Sequence, residues 1–311
     1  MIILKKRQLG SSDLYISELG LGCMSLGTDE VQTQTIIEAA LEEGINYFDT
    51  ADLYDKGINE RLVGRALKNV REHIIIATKV GNRWNENGAG WCWDPSKKYI
   101  KEAVKQSLKR LDTDYIDLYQ LHGGTMDDPI NETIEAFEEL KAEGLIRYYG
   151  ISSIRPTVIS EFVQKSNFVS VMMQYSILDR RPEEQALPLL QKNGISVVAR
   201  GPLAKGLVSE AMLEKASSSV REHGYLDYSY EELEQVIPEL KRKLAEQRSL
   251  TDISVQYLLA HPTVASVIAG ASSVAQLKEN TKAIKSHALS QEELEIIRSI
   301  TKANVYQQHR L

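Results

Sequence analysis

Cysteine is scarce: the 311 residues hold two, Cys23 and Cys92, with no C-x-x-C spacing and no histidine partner nearby. A disulfide framework and a structural zinc site are both excluded on that ground. Long apolar runs are missing too, since none approaches the ~20 residues that a membrane-spanning helix needs. The N-terminus, MIILKKRQLG, places its apolar residues before its charges, the reverse of a secretory signal. There is no basic block, and the net charge is −6. Nucleic acid is therefore not the expected partner, because neutralising phosphates takes clustered Lys and Arg. These absences together predict a cytoplasmic, reduced, soluble protein without a membrane partner, and they leave its oligomeric state open.

What is present has ordinary globular proportions, 42% hydrophobic and 26% charged. Length alone gives two domains, yet α/β barrels of this size are commonly one. The chain opens on a predicted hairpin, Leu4 to Leu9 and Leu14 to Leu19, around Gly10-Ser11-Ser12-Asp13. GLGCMSLG, residues 20–27, reads as a strand end and a glycine-rich turn. Thr28 or Asp29 caps a helix that ends at Gly44. Strands then follow at 45–48, 74–77, 115–121, 146–151, 169–173, 195–199 and 264–269. Helices alternate with them at 59–69, 96–110, 129–142, 156–165, 183–192, 251–260 and 274–283, and a last one lies near 290–303. Residues 81–95 form a long loop holding all three tryptophans. Residues 204–250 break the rhythm, polar and with a helical piece near 231–247, and read as a flap or insertion because alternation resumes after them. Alternation implies a parallel sheet with helices outside, and the count of eight fits a closed barrel. The expected architecture is a single α/β domain over 1–311: a (β/α)8 TIM barrel with an N-terminal β-hairpin, the 204–250 insertion and C-terminal extra helices.

In such a barrel the functional groups lie where strands end. INYF runs into Asp49, with Tyr54 five residues on; IIIAT runs into Lys79; IDLYQL runs into His122. Each has a bland reading by itself. An Asp at a strand end is usually a turn or cap residue, a Lys there is usually solvated, and a His is more often a loop residue than a catalyst. Their arrival at three successive strand ends favours chemistry. No cluster of His and carboxylates at ligand spacing accompanies them, so no metal is expected.

GINYFDTADLY with NERLVG, ATKVG, YIDLYQLHG, GISS, SVMMQY, the Pro-Leu of ARGPLAKGL and IAGASSVAQLKEN spread from residue 20 to residue 280. In these segments the chain resembles the aldo-keto reductases. The resemblance implies a (β/α)8 barrel that reduces carbonyls with a nicotinamide hydride, Tyr54 as general acid, Lys79 and Asp49 tuning it, and His122 orienting the carbonyl. The chemistry is sensible unaided. A free phenol has a pKa of about 10, and a nearby ammonium eases release of its proton.

By the same resemblance Ser152, Ser153 and Gln174 lie where the family bonds the nicotinamide carboxamide. Gly201, Leu203 and Lys205 fall where a loop lines the pyrophosphate, and Gly270, Ser272, Gln276 and Asn280 fall around the adenosine. Three departures stand out. Ser152-Ser153 replaces a common Ser-Asn; Arg200 replaces an aromatic that stacks on the nicotinamide; and Gly270-Ala271-Ser272-Ser273 lacks a cation for the 2′-phosphate, leaving Lys205, Lys278 or Lys282 to reach it. NADPH is the expected cofactor, with NADH not excluded, and a small-molecule carbonyl is the expected partner. Trp84, Trp91 and Trp93, with Tyr225, Tyr228 and Tyr230 of the insertion, frame the expected substrate pocket.

Two other readings compete. A Rossmann dehydrogenase would use Gly20-x-Gly22 and Asp49, but position 25 is Ser and the next glycine is Gly27, and Tyr54, Lys79 and His122 go unexplained. A nucleotide-binding regulatory barrel with little turnover keeps the fold but has no need of four intact catalytic positions.

Overall fold

Short apolar strands punctuated by capped helices build a closed parallel barrel. The computed structural model describes residues 4–85, 89–209, 212–244 and 248–310. Its elements in chain order are β1 (Lys6–Gln8), β2 (Tyr15–Ser17), β3 (Leu19–Gly22), α1 (Glu30–Glu42), β4 (Tyr47–Asp49), α2 (Ile58–Leu67), β5 (Ile75–Val80), β6 (Asn82–Trp84) and β7 (Trp91–Trp93). There follow α3 (Lys97–Leu111), β8 (Ile116–Leu121), α4 (Ile130–Ala142), β9 (Ile146–Ser152), α5 (Pro156–Lys165), β10 (Ser170–Gln174), α6 (Ala186–Lys192) and β11 (Ser196–Arg200). The chain finishes with α7 (Ser218–His223), α8 (Tyr230–Leu244), α9 (Leu250–Leu259), β12 (Val264–Gly270), α10 (Val274–Ile284) and α11 (Gln291–Ile300).

Eight strands, β3, β4, β5, β8, β9, β10, β11 and β12, pair in that order, and β12 closes on β3 in parallel. Because side chains alternate along a strand, each strand feeds two cores. One lies between strands and helices and includes Phe48, Ile76, Tyr119, Val171 and Val267. The other fills the barrel with Tyr47, Ala77, Leu118, Met172, Val198 and Ile268. Leu9, Leu14 and Ile16 belong to this inner cluster, so the β1–β2 hairpin plugs one mouth of the barrel and leaves the other to the strand-end loops.

Local chemistry sets the helix starts. Asp29 accepts from Gln32 N and caps α1, Ser96 caps α3, and Ser249 and Ser290 make reciprocal capping boxes with Asp252 and Glu293; each cap contributes about 1 kcal/mol.

The structure corrects four boundaries. The predicted strand Leu14–Leu19 is split, because Ser17 Oγ donates to Leu19 O at 2.6 Å and turns the chain; β2 ends there and Leu19–Gly22 becomes the first barrel strand. Residues 81–95 are not only loop, since β6 and β7 pair antiparallel with Trp84 opposite Trp91. The insertion holds α7 as well as α8, and the last residues of the predicted 231–247 helix, 245–247, lie outside the described residues. The final helix stops at Ile300 rather than 303. No helix among the described residues is long and apolar enough to cross a membrane.

Candidate active site

Register brings the expected side chains together. Gly22 pairs with Asp49, Asp49 with Ala77, and Lys79 with Gln120, so the C-terminal ends of β3, β4, β5 and β8 lie side by side. Asp49 closes β4 and is 4% exposed; Lys79, on β5, is 1% exposed. Lys79 Nζ donates to Asp49 Oδ1 at 2.5 Å, to the Thr50 carbonyl at 2.8 Å and to the Tyr54 hydroxyl at 3.4 Å. Burial opposes the ammonium charge, but Asp49 and Tyr54 outweigh it and hold Lys79 above the ordinary lysine value. His122 follows β8 directly, and its ring stands edge-on to Tyr54 with centroids 6.0 Å apart. Burial, then the charges of Lys79 and Arg200, push His122 down to about 3, so the imidazole is neutral at pH 7. Its Nδ1 is buried without a hydrogen-bond partner.

Two supporting groups escaped the sequence reading. Gln120 Nε2 donates to Asp49 Oδ2 at 3.1 Å, and the Thr50 carbonyl takes the third lysine contact. The only signal for Gln120 was its place in the strand IDLYQL, two positions before His122 and in alternation with Leu118 on the barrel-filling face.

The second group of positions lies along the ends of β9 to β12. Gln174 and Arg200 are register partners, and Arg200 Nη1 donates to Gln174 Oε1 at 3.3 Å. Gln174 Nε2 reaches Asp179 Oδ2 at 2.9 Å and the Tyr225 hydroxyl at 3.2 Å, which ties the insertion to this end of the barrel. Ser152 ends β9 half-buried, whereas Ser153 is buried and its Oγ accepts from Arg155 N. Gly201, at φ 67°, and Lys205, at φ 60°, are exposed in the turn after β11, with Leu203 half-buried between them. Ser272 donates from its backbone N and its Oγ to Gln276 Oε1, and both residues are exposed. Asn280 is buried, with its amide on the Gly270 carbonyl at 3.1 Å. Ser273 caps α10, accepting from Gln276 N.

The aromatic positions separate. Trp84 donates to the Leu53 carbonyl at 3.2 Å, and the Lys56 ammonium lies 5.1 Å from its ring. Trp91 is 53% exposed. Trp93 is bonded to Asp128 at 2.8 Å and packs on the backbone at Gly81 and Gly123. Tyr225 and Tyr228 are buried in the main core, so they present little surface to a substrate; the Tyr228 hydroxyl accepts from Lys302 N.

The profile of the "Aldo/keto reductase family" matches residues 18–302. The chain belongs to that family. It is similar to the "Uncharacterized oxidoreductase YqkF" of Bacillus subtilis (strain 168), 61% identical over 99% of this chain and 100% of that one. It is also similar to the NADH-specific methylglyoxal reductase of Escherichia coli (strain K12), 31% identical over 96% of this chain and 99% of the relative. Among solved structures it resembles the holo form of the aldo-keto reductase AKR11C1 from Bacillus halodurans, with 60% identity, a TM-score of 0.93, and coverage of 99% of this chain and 100% of that one. As an aldo-keto reductase the chain is an oxidoreductase, of a family that works with a nicotinamide cofactor. The residues present suit such a group. Exposed backbone at Gly201 and hydroxyls at the start of α10 flank the ends of neighbouring strands β11 and β12, and a helix N-terminus favours phosphate. Rossmann chemistry at Gly20 and Gly22 is overturned, because these residues lie inside barrel strand β3.

Proposed function

We propose that this reductase converts aldehydes or ketones to alcohols with NADPH, working as one barrel domain, with Tyr54 as proton donor and Asp49, Lys79 and His122 as its partners. The supporting observation is the buried Lys79 ammonium, shared between Asp49 Oδ1 at 2.5 Å and the Tyr54 hydroxyl at 3.4 Å. Reduced nicotinamide, when bound, supplies the hydride. As negative charge grows on the carbonyl oxygen, Tyr54 gives up its proton and the Lys79 ammonium stabilises the phenolate left behind. Asp49, itself bonded by Gln120, fixes the ammonium in place. Neutral His122 orients the carbonyl through an N–H without placing a second cation against Lys79. For the cofactor, Ser152, Ser153 and Gln174 are assigned to the carboxamide, Arg200 to the ring face, Gly201, Leu203 and Lys205 to the pyrophosphate, and Gly270, Ser272, Gln276 and Asn280 to the adenosine. Lys205, Lys278 and Lys282 are the cations offered to a 2′-phosphate, and the NADH-specific relative makes NADH the competitor. The carbonyl is assigned to the mouth near Trp84, Trp91 and Trp93.

Titrating NADPH and NADH against the protein's fluorescence, then following aldehyde-dependent loss of cofactor absorbance, tests this reading. Tighter binding of NADPH with turnover is expected. Tighter NADH binding overturns the cofactor assignment, and failure to bind either overturns the reductase assignment.

A further inference from the structure

Tyr54 is followed by three left-handed residues, Asp55, Lys56 and Gly57, at φ 49°, 55° and 83°. Two of these carry side chains that disfavour such a backbone, so the surrounding structure must hold the turn. The start of α2 supplies the hold. Asn59 Oδ1 accepts from Thr50 Oγ1 at 2.7 Å, and Asn59 Nδ2 donates to the Cys23 carbonyl at 2.8 Å. Glu60 is fully buried; its Oε1 accepts from Thr78 Oγ1 at 2.6 Å and its Oε2 from Arg110 Nε at 2.6 Å. Thr78 immediately precedes Lys79. Arg110 comes from α3 and touches both parts of the device: a Cβ at Gly57 would sit 2.7 Å from its Cδ and 2.8 Å from its Nε. Its stem thus lies flat against the left-handed turn while its guanidinium neutralises Glu60.

We propose that Arg110 is a positioning residue for the Tyr54 phenol, acting through Glu60 and the Asp55–Gly57 turn to set the phenol against Lys79. The proposal rests on Tyr54 being the proton donor. It assigns a role to a residue that touches neither the ammonium nor the phenol. Arg110 also lines a cavity of about 710 Å³, with Asp52, Trp84, Tyr99 and Glu102. Its side chain is 28% exposed. A small cation from solvent can therefore reach the place that the guanidinium vacates in a truncated variant.

In Arg110→Ala, kcat for carbonyl reduction should fall about 10–100-fold, the scale of a slight misplacement of a reacting group. The carbonyl KM and the NADPH Kd should stay within about threefold. Millimolar guanidinium should restore kcat several-fold in this variant and do nothing for wild type or for Tyr54→Phe. Arg65→Met, on α2 with Glu60, breaks an exposed pair with Glu30 of α1 and should leave kcat unchanged. An unaltered kcat in Arg110→Ala, an equal loss of cofactor affinity, or a folded variant that guanidinium does not rescue would each overturn the proposal. Should Arg110→Ala fail to fold, Glu60→Gln keeps an acceptor for Thr78 and removes the charge that Arg110 meets. It should show the same loss in kcat alone, and wild-type kcat in it rejects the idea. If wild type itself reduces no carbonyl, the reading of Tyr54 has failed instead.

Discussion

Lys79 and Lys205 both stand at the loop-bearing mouth of one barrel, yet they live in opposite conditions. Lys79 is buried and bonded to three oxygens from β4 and its loop; Lys205 is exposed, in a left-handed turn after β11. The same contrast runs through the two halves of the site. The ends of β4, β5 and β8 carry a network in which Asp49, Lys79 and Gln120 are each buried, Lys79 and Gln120 both donating to Asp49. The ends of β11 and β12 carry exposed hydroxyls, amides and glycine backbone. Developing charge is best met by groups already fixed in place, whereas a long dinucleotide brings its own contacts to whatever strand ends offer. A mutation in the first half should therefore act on chemistry and stability, and one in the second half on affinity.

The largest expected effect is that of Tyr54→Phe. Loss of the acid should lower kcat by about 10²–10⁴-fold while the NADPH Kd barely changes, read by fluorescence titration beside steady-state rates. Retained turnover would remove Tyr54 from the reaction and erase the contrast at its source.

Lys79→Met comes next. It strips the ammonium from the phenol and leaves the Asp49 carboxylate buried with Gln120 but no cation. Breaking a buried pair on one side costs about 3–5 kcal/mol, so the urea midpoint should fall together with kcat. A variant as stable as wild type would mean that Asp49 takes up a proton instead, and activity measured against pH would show it.

How far this was legible from the sequence differs between the halves for a physical reason. Asp49, Lys79 and His122 each follow an apolar strand directly, and a strand's end in a barrel fixes where its next side chain goes. The barrel and its order were readable because strand and helix alternate with short connections. The hairpin of β6 and β7 was not, since NRW and WCW carry no period-two pattern. Glu60 belongs to the NERLVG segment that carries the resemblance, but the sequence attaches no partner to it, and only the packing of α3 on α2 shows it bonded to Arg110 and Thr78. Trp93 carried an aromatic's promise of a substrate wall, but its indole N–H is spent on Asp128.

The buried half should also carry a pH signature. Burial, then the neighbouring Glu60 carboxylate, push Asp52 up to about 8, against Arg110; its Oδ1 has no partner. A carboxyl whose folded pKa is raised holds its proton where the unfolded chain has lost it, so its contribution is present below about pH 4 and is lost as pH climbs through about 8. Asp52→Asn removes that slope and should gain stability on wild type steadily between pH 5 and pH 8, measured as Tm at each pH. His122 runs the other way. Pushed down to about 3, it costs nothing above about pH 6.5 and destabilises the fold as pH drops toward 3. Parallel Tm curves for wild type and Asp52→Asn would show that Arg110 already compensates both carboxylates.

Arg200 joins the two halves, and its replacement gives the smallest and most discriminating effect. It is bonded to Gln174 on the proposed cofactor side at 3.3 Å, while on the catalytic side its charge works against the burial that raises Asp49 and adds to the burial that lowers His122. A guanidinium plane can stack on a ring as an aromatic does, but it is a cation, and an oxidised nicotinamide is one too. Arg200→Trp keeps a flat face and removes the charge. The oxidised cofactor should then tighten about 3–10-fold more than the reduced one, a difference of about 0.7–1.4 kcal/mol. With one repelling charge gone, the His122 pKa should also rise, which its NMR titration would follow. Equal tightening of both cofactor forms would assign Arg200 to stacking alone. A changed cofactor ratio with an unmoved His122 would confine its charge to the cofactor half, and the separation between the two halves would then be complete.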